Sequence, residues 1–137
     1  MRIMIVDDNR TYLAVLRSVV SQLGDDEVAV FSDPVEALAA AAITEFDLIL
    51  ADYMMPQMDG IAFIQELREL PNHRYQPIVM VTTAEQRETR NAALDAGATD
   101  FFRKPIEPVE LRVRVQNQLN LREAQTMMRD KAAWLAK

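Results

Sequence analysis

The chain has 137 residues, half of them hydrophobic, which is enough for one packed domain of ordinary size. It has 15 Lys and Arg against 21 Asp and Glu, a formal net charge of −6, so direct binding to nucleic-acid phosphates is not expected. It contains no cysteine, which excludes disulfides and thiolate chemistry. The N-terminus lacks a signal-peptide pattern and no apolar run could span a bilayer. We therefore expect a cytoplasmic domain that contacts neither membrane nor nucleic acid.

Five short apolar runs alternate with segments of helical periodicity. Most of the runs are nearly continuous in apolar character, which is typical of strands buried on both faces of a parallel sheet. The predicted strands are Ile3–Val6, Val28–Phe31, Leu48–Ala51, Ile78–Val81 and Thr99–Phe102.

The first two helices are predicted from an apolar face and from a capping pattern. Gly24 is expected to cap the first helix, and Asp33 and Pro34 are expected to begin the second as its N-cap and first helical residue. The apolar face of the first helix consists of Leu13, Leu16, Val20 and Leu23.

Three more helices follow the third, fourth and fifth strands. They are predicted at Gly60–Glu69 with Ile61, Ile64 and Leu67 inward, at Glu85–Ala96 before a stop at Gly97, and from Glu107 or Pro108 to about Leu135. The strand–helix unit thus repeats five times. This order predicts an α/β fold, (βα)5, with an open, doubly wound, five-stranded parallel sheet and an extended C-terminal helix.

Polar residues follow four of the five predicted strands. They are Asp7 and Asp8 after the first strand, Asp52 after the third, Thr82 and Thr83 after the fourth, and Lys104, which precedes Pro105, after the fifth. Each of them alone is typical of a cap, a turn or a strand end. Together they should meet at one edge of the sheet, where open parallel sheets bind ligands.

Three clustered carboxylates would repel one another unless a hard cation joined them. Mg2+ prefers oxygen ligands and usually binds through one or two carboxylates with water and phosphate oxygens. The cluster of Asp7, Asp8 and Asp52 therefore predicts an Mg2+ site with room for a phosphoryl group. Lys104 would donate to the phosphate and Thr82 would offer it a hydroxyl. A carboxylate can itself attack a phosphoryl group, which would give an aspartyl phosphate.

Four segments of the chain resemble the receiver domain of bacterial response regulators, of which the single-domain chemotaxis regulator is the simplest form. They are IMIVDDN at Ile3–Asn9, DLILADYMMPQMDG at Asp47–Gly60, PIVMVTTAE at Pro77–Glu85 and AGATDFFRKP at Ala96–Pro105. The resemblance covers residues 1–120, and it implies a flavodoxin-like fold that acts as a phosphorylation switch in two-component signalling.

The resemblance also implies a role for each matching residue. Asp52 is expected to be the phosphoacceptor, and Lys104 and Thr82 are expected to contact the phosphoryl group. Phosphorylation would draw the Thr82 hydroxyl inward, and the ring of Phe101 would turn to fill the vacated space. The implied Mg2+ ligands are Asp7, Asp8, Asp52 and the backbone carbonyl of Met54.

The family further implies a sensor histidine kinase or a phosphotransfer protein as the phosphodonor. The domain would be regulatory, catalysing only its own phosphorylation and dephosphorylation, and any output enzyme would lie outside the chain. One alternative is a receiver-like module that binds a partner or dimerises without phosphorylation. Another is a phosphohydrolase of the haloacid dehalogenase type, which needs a second acid where this chain has Met54.

Residues 1–120 are predicted to form the receiver and residues 121–137 a helical extension. The extension carries a short heptad-like seam, with a lysine at one core-type position: Leu121, Ala124, Met128, Lys131 and Leu135. A solvated linker helix and a dimerising helix both fit this pattern, and Trp134 favours a partner. A homodimer could instead use the face of the fourth helix and fifth strand. The extension resembles linkers before cyclic-di-GMP output domains, particularly of the HD-GYP class, so we expect a fragment of a longer regulator.

Overall fold

The computed structural model describes residues 1–24, 26–83 and 86–136. Its strands form one parallel sheet in the order β2-β1-β3-β4-β5: β1 (Arg2–Val6), β2 (Glu27–Phe31), β3 (Leu48–Ala51), β4 (Ile78–Thr82) and β5 (Asp100–Arg103). The helices are α1 (Arg10–Ser21), α2 (Pro34–Ile43), α3 (Gly60–Glu69), α4 (Arg87–Ala96) and α5 (Pro108–Leu135), with a 3₁₀ turn at Pro71–His73. The predicted (βα)5 fold is confirmed.

Alternate residues of the central strands supply two separate hydrophobic clusters, one on each face of the sheet. In β1, Met4 and Val6 pack with α2 and α3, whereas Ile3 and Ile5 pack with α1 and α5. Every residue of β3 and β4 is buried because helices cover both faces. Double coverage explains why these strands read as unbroken apolar runs. The edge strand β2 is only half-buried over most of its length.

The predicted end of the first helix is wrong. The helix ends at Ser21, and Gln22 caps it by donating its backbone N–H to the carbonyls of Val19 and Val20. Leu23 lies beyond the helix and still packs against the cluster under α1 and α5, so its apolar character misplaced the boundary. Gly24 follows in the connection to β2 and does not cap the helix.

The other helix boundaries agree closely with prediction. Asp33 caps α2 by accepting from the N–H of Val35 at 2.9 Å, and Pro34 is the first helical residue. α3 spans the predicted residues, although Phe63 is fully buried and Ile61 only partly so. α4 ends at Ala96 and is capped by Gly97, whose φ of 122° favours glycine. The first residue predicted for α4, Glu85, lies outside the described residues.

The last helix continues without a break from Pro108 to Leu135, as predicted. Its first half packs on the sheet through Leu111, Val115 and Leu119. Its second half still contacts the domain as far as Arg129, because Arg122 and Arg129 both form ion pairs with Glu45. The side chains beyond Arg129 are exposed, and Trp134 is 73% exposed. Within the described residues, no helix combines the length and apolar character that a membrane crossing requires.

Candidate phosphoacceptor site

Three acidic side chains meet at the carboxyl ends of β1 and β3, the neighbouring strands between which the order of the sheet changes direction. Asp7 follows β1, and Asp52 follows β3, which lies next to β1 in the sheet. Asp7, Asp8 and Asp52 each offer a carboxylate oxygen, and these oxygens lie within 4.8 Å of one another. Asp7 and Asp52 are buried, whereas Asp8 is exposed at the rim. The carboxyl ends of β1 and β3 therefore bring together the acidic cluster predicted from the sequence.

Lys104 joins two of these carboxylates from the end of β5. Its Nζ lies 2.7 Å from Asp7 Oδ2 and 3.3 Å from Asp52 Oδ2. The lysine side chain is only 3% exposed, so water screens these ion pairs weakly. Its backbone is fixed as well, because its N–H donates to the Thr82 carbonyl at 2.9 Å. The peptide bond between Lys104 and Pro105 is cis.

Asp7 occupies the most protected position of the cluster. Burial raises the pKa of its carboxyl above the ordinary value, and the nearby charge of Asp52 acts in the same direction. Hydrogen bonds from Lys104 and from the backbone N–H of Asn9 oppose that rise in pKa. Hydrogen-bond donors in the protein thus stabilise the buried Asp7 carboxylate, whereas the negative charge of Asp52 destabilises it. A bound cation would reduce this repulsion.

The donor set at this edge suits Mg2+. All three side chains offer hard oxygen atoms, which Mg2+ prefers over nitrogen or sulfur. Among the described residues of the cluster, three carboxylates and one ammonium leave an excess of two negative charges, and one divalent cation balances them. Mg2+ normally keeps several waters, so a cluster open to solvent at Asp8 fits its coordination better than a closed cage would.

Local backbone geometry holds the acidic cluster in place. Asn9 caps α1 by accepting from the N–H of Tyr12 at 3.1 Å, so the helix begins three residues after Asp7. Asp52 Oδ1 accepts from the N–H of Tyr53 at 2.7 Å. Both carboxylates therefore have fixed orientations before any ligand binds.

Gly60 is more than a turn residue. It is fully buried as the first residue of α3, and its N–H donates to the Tyr53 carbonyl at 2.7 Å. A Cβ at this position would lie against the Asp52 carbonyl oxygen and only 2.9 Å from both Met80 Cε and Tyr53 Cα. Only glycine lets the start of α3 approach the backbone of the acidic cluster this closely. Its DG context was the available signal, but the sequence equally fitted a plain turn glycine.

The remaining predicted site residues lie around the same edge. Thr82 is fully buried at the end of β4. Phe101 is half-buried in β5, next to Met80 in the sheet, and packs against the cluster under α2 and α3. Met54 lies in the loop after β3 with a side chain that is 64% exposed.

The environments of two residues, one at the site and one remote from it, were not predicted from the sequence. The ring of Tyr12 lies over the Lys104 ammonium, with Nζ 3.9 Å from the ring centroid. Its place one turn into the helix after Asp7 was the only available signal. His73 is fully buried in the 3₁₀ turn, near the amino-terminal ends of β3 and β4 and away from the acidic cluster. Its polar neighbours in the sequence gave no sign of that burial.

Comparison with known proteins identifies the family. The response regulator receiver domain profile matches residues 3–116, and the chain belongs to this family. It is 41% identical over 133 residues to the cyclic di-GMP phosphodiesterase response regulator RpfG of Xanthomonas campestris pv. campestris (strain 8004), covering 96% of this chain and 35% of that protein. It is 38% identical over 116 residues to the response regulator PleD of Caulobacter vibrioides (strain NA1000 / CB15N), covering 85% of this chain and 25% of that protein.

A solved structure is similar throughout the receiver fold. It is the receiver domain of the sensor histidine kinase PA1611 from Pseudomonas aeruginosa PAO1, with a magnesium ion coordinated in its active site cleft. The TM-score is 0.79 at 29% identity, covering 87% of this chain and 97% of that chain. The chain spans about a third of RpfG and a quarter of PleD.

Proposed function

We propose that Asp52 accepts a phosphoryl group from a phosphohistidine on a sensor kinase or phosphotransfer protein, in a reaction that requires Mg2+. The observation that carries this proposal is the buried Lys104 ammonium between Asp7 and Asp52, beside an otherwise uncompensated acidic cluster. The negative charges that Lys104 leaves unbalanced are costly at a buried site unless a cation completes the charge balance. Mg2+ meets that need and can bind a phosphoryl oxygen at the same time.

In the proposed reaction a carboxylate oxygen of Asp52 attacks phosphorus, and the bond from phosphorus to the donor's imidazole nitrogen breaks. The electron pair of the broken bond stays with the imidazole, and Asp52 becomes an acyl phosphate. Lys104 donates to the phosphoryl oxygens and compensates the charge that develops on them. Asp7, Asp8, Asp52 and the Met54 carbonyl are the proposed ligands of Mg2+, which neutralises phosphoryl charge when bound.

The proposed switch links this chemistry to the surface formed by α4 and β5. Thr82 ends β4 at the site, and phosphorylation would draw its hydroxyl toward the phosphoryl group. Phe101 is half-buried, and its ring would turn further inward when Thr82 moves. Phosphorylation would then shift the population between two arrangements of this surface.

Incubation with acetyl phosphate and Mg2+, followed by intact-protein mass spectrometry, tests the proposal. The wild-type chain should gain one phosphoryl group, and Asp52→Asn should gain none. Asp95→Asn is the matched control, because Asp95 is an exposed acid on α4 outside the cluster. Chelation of Mg2+ should abolish the mass increase. An equal gain by Asp52→Asn, or none by the wild type, would overturn the proposal.

A receiver-like module that works without phosphorylation is the competing function. The contacts of Lys104 with both Asp7 and Asp52 support a working phosphoacceptor instead. Beryllofluoride, which mimics an acyl phosphate on aspartate, separates the two functions. Titration with beryllofluoride and Mg2+ should change the backbone amide NMR spectrum around Thr82 and Phe101. A spectrum unchanged at saturating ligand would favour the competing function.

We also propose that residues 1–120 form the receiver and residues 121–137 a linker helix to an output domain. The match to RpfG extends over 133 residues, whereas the family profile ends at residue 116. The name of RpfG suggests an output domain that hydrolyses cyclic di-GMP. The codons after Lys137 in the parent gene test this, because a stop codon there would exclude a linked output domain.

The linker helix is proposed to pair with a second copy of the chain. Leu121, Met128 and Leu135 recur every seven residues and are all exposed, at 42%, 73% and 66%. Sedimentation over a range of concentrations should show dimers that Met128→Glu weakens and Ala133→Glu does not, since Ala133 lies off the seam. Equal behaviour of the two variants would favour a solvated linker, or dimerisation through the face of α4 and β5.

A further inference from the structure

The ammonium group of Lys104 has an aromatic neighbour as well as two carboxylates. Nζ lies 3.9 Å from the centre of the Tyr12 ring, well inside the range of a cation–π interaction. The Lys104 side chain is 3% exposed, so little water competes for its charge. Desolvation of this kind makes cation–π contacts considerably stronger than they are at an open surface.

We propose that Tyr12 is a positioning residue for phosphoryl transfer, which it serves by holding the Lys104 ammonium at the site. This inference rests on the proposed phosphoacceptor function of Asp52. A lysine ammonium carries three N–H bonds. Asp7 and Asp52 accept two of them, and the face of the Tyr12 ring covers the side that remains.

The ring is itself held by the start of α1. The backbone N–H of Tyr12 donates to Asn9 Oδ1 at 3.1 Å, and the N–H of Asn9 donates to Asp7 Oδ1 at 2.9 Å. One short, hydrogen-bonded segment thus carries both a carboxylate partner of Lys104 and the ring that covers it. Groups delivered from a helix start in this way keep their positions better than groups on a free loop.

Phosphorylation changes the partners of Lys104, and this gives the ring its importance. When Asp52 becomes an acyl phosphate, Lys104 must turn an N–H toward a phosphoryl oxygen. The ring is uncharged and does not compete with the phosphoryl group for that hydrogen bond. It therefore restrains the flexible lysine side chain before and after the transfer alike, whereas the Asp52 carboxylate is converted in the reaction.

Calorimetric titration with beryllofluoride in the presence of Mg2+ tests this role. Tyr12→Leu should bind beryllofluoride on the order of tenfold more weakly than the wild type, the size of a desolvated cation–π contact. Tyr12→Phe keeps the ring and should bind within about twofold of the wild type. Tyr75→Leu is the matched control and should leave the affinity unchanged. Tyr75 is 75% exposed and lies before β4, at the amino-terminal ends of the strands and away from the acidic cluster.

Titration with Mg2+ alone distinguishes positioning from damage to the fold. Tyr12→Leu leaves all three acidic side chains in place, so its affinity for Mg2+ should stay at the wild-type level. A similar loss of both affinities would mean that the substitution disrupts the site, and the inference would be wrong. Equal beryllofluoride affinity of Tyr12→Leu and wild type would also overturn it.

Fluorinated phenylalanines at position 12 provide a test that does not change the ring's shape. Each added fluorine withdraws electron density from the ring face, so beryllofluoride affinity should fall steadily along the series. A flat series would show that the ring acts by volume alone and would contradict the role proposed for Tyr12. Failure of the wild type to bind beryllofluoride would instead remove the proposed function of Asp52 and this inference together.

Discussion

His73 is the only histidine of the chain, and its burial makes the stability of the fold depend on pH. Its Nε2 accepts from the backbone N–H of Phe46 at 3.0 Å, so its Nδ1 carries the proton and donates to Asn72 Oδ1 at 2.9 Å. Burial lowers the pKa of His73 from 6.5 to about 4. A second proton would have to sit on Nε2, against the N–H of Phe46, so protonation and the native hydrogen bond exclude one another.

The charged groups around His73 do not offset its burial. Glu45 and Asp47 favour the protonated ring, whereas Arg122 and Arg68 oppose it. These four groups belong to the connection between α2 and β3, to α5 and to α3. Because these charges act in opposite directions and burial is the largest cause, burial decides the direction of the shift in the pKa of His73.

The magnitude follows from the two pKa values of His73. Between pH 6.5 and about pH 4 the unfolded chain carries the proton and the folded chain does not. The contribution of neutral His73 to the free energy of unfolding is therefore fully present above pH 6.5. Below pH 6.5 the free energy of unfolding falls by about 1.4 kcal/mol per pH unit, and this fall stops below the folded-state pKa. Between pH 7 and pH 5 the loss is about 2 kcal/mol, a large share of the 5–15 kcal/mol typical of a whole domain.

Urea unfolding followed by circular dichroism at pH 7, 6 and 5 measures this loss. His73→Gln is the reference variant, because its Oε1 can accept from Phe46 and does not titrate in this range. The carboxylates titrate alike in both proteins, so the difference between them isolates the histidine. The wild type should lose about 2 kcal/mol more than the variant between pH 7 and pH 5. Parallel losses in the two proteins would refute the assigned burial and hydrogen bonding of His73.

Two further substitutions test contacts seen in the structure, and urea unfolding measures both. Gly60→Ala should destabilise the fold by about 1–3 kcal/mol, because its Cβ would press on the Asp52 carbonyl; unchanged stability would contradict that close approach. Arg122→Ala should cost about 2–3 kcal/mol, since Arg122 has a side chain only 6% exposed and binds Glu45 at 2.6 Å. Arg129→Ala breaks an ion pair to the same carboxylate but should cost under about 1 kcal/mol, because Arg129 is 58% exposed; equal costs would show that burial does not set the strength of these pairs.

The fold was predictable because its signals are local. Strands buried on both faces must be apolar throughout, and β3 was predicted with its observed limits, Leu48–Ala51. Asp33 and Gly97 gave two helix boundaries, because capping depends on residues next to one another in the chain. The end of α1 was mispredicted because Leu23 is apolar for a tertiary reason, namely its packing beyond the helix.

The acidic cluster was also predictable, since parallel strands bring their carboxyl ends to a common edge. The sequence placed Asp7, Asp52 and Lys104 at three strand ends, and the structure brings them into contact. The distances and burial that set their electrostatics were not predictable. They depend on how closely β1, β3 and β5 approach and on what covers the edge of the sheet.

What the sequence determined by itself is thus the order of elements, the two-sided burial of the sheet and the acidic edge at Asp52, all properties of local pattern and strand direction. Only the tertiary structure decided which side chains from distant segments meet. It places the Tyr12 ring over Lys104, brings the start of α3 against the Asp52 backbone through Gly60, and buries His73 beneath Phe46. Such contacts depend on packing between elements far apart in the chain, so no single segment encodes them.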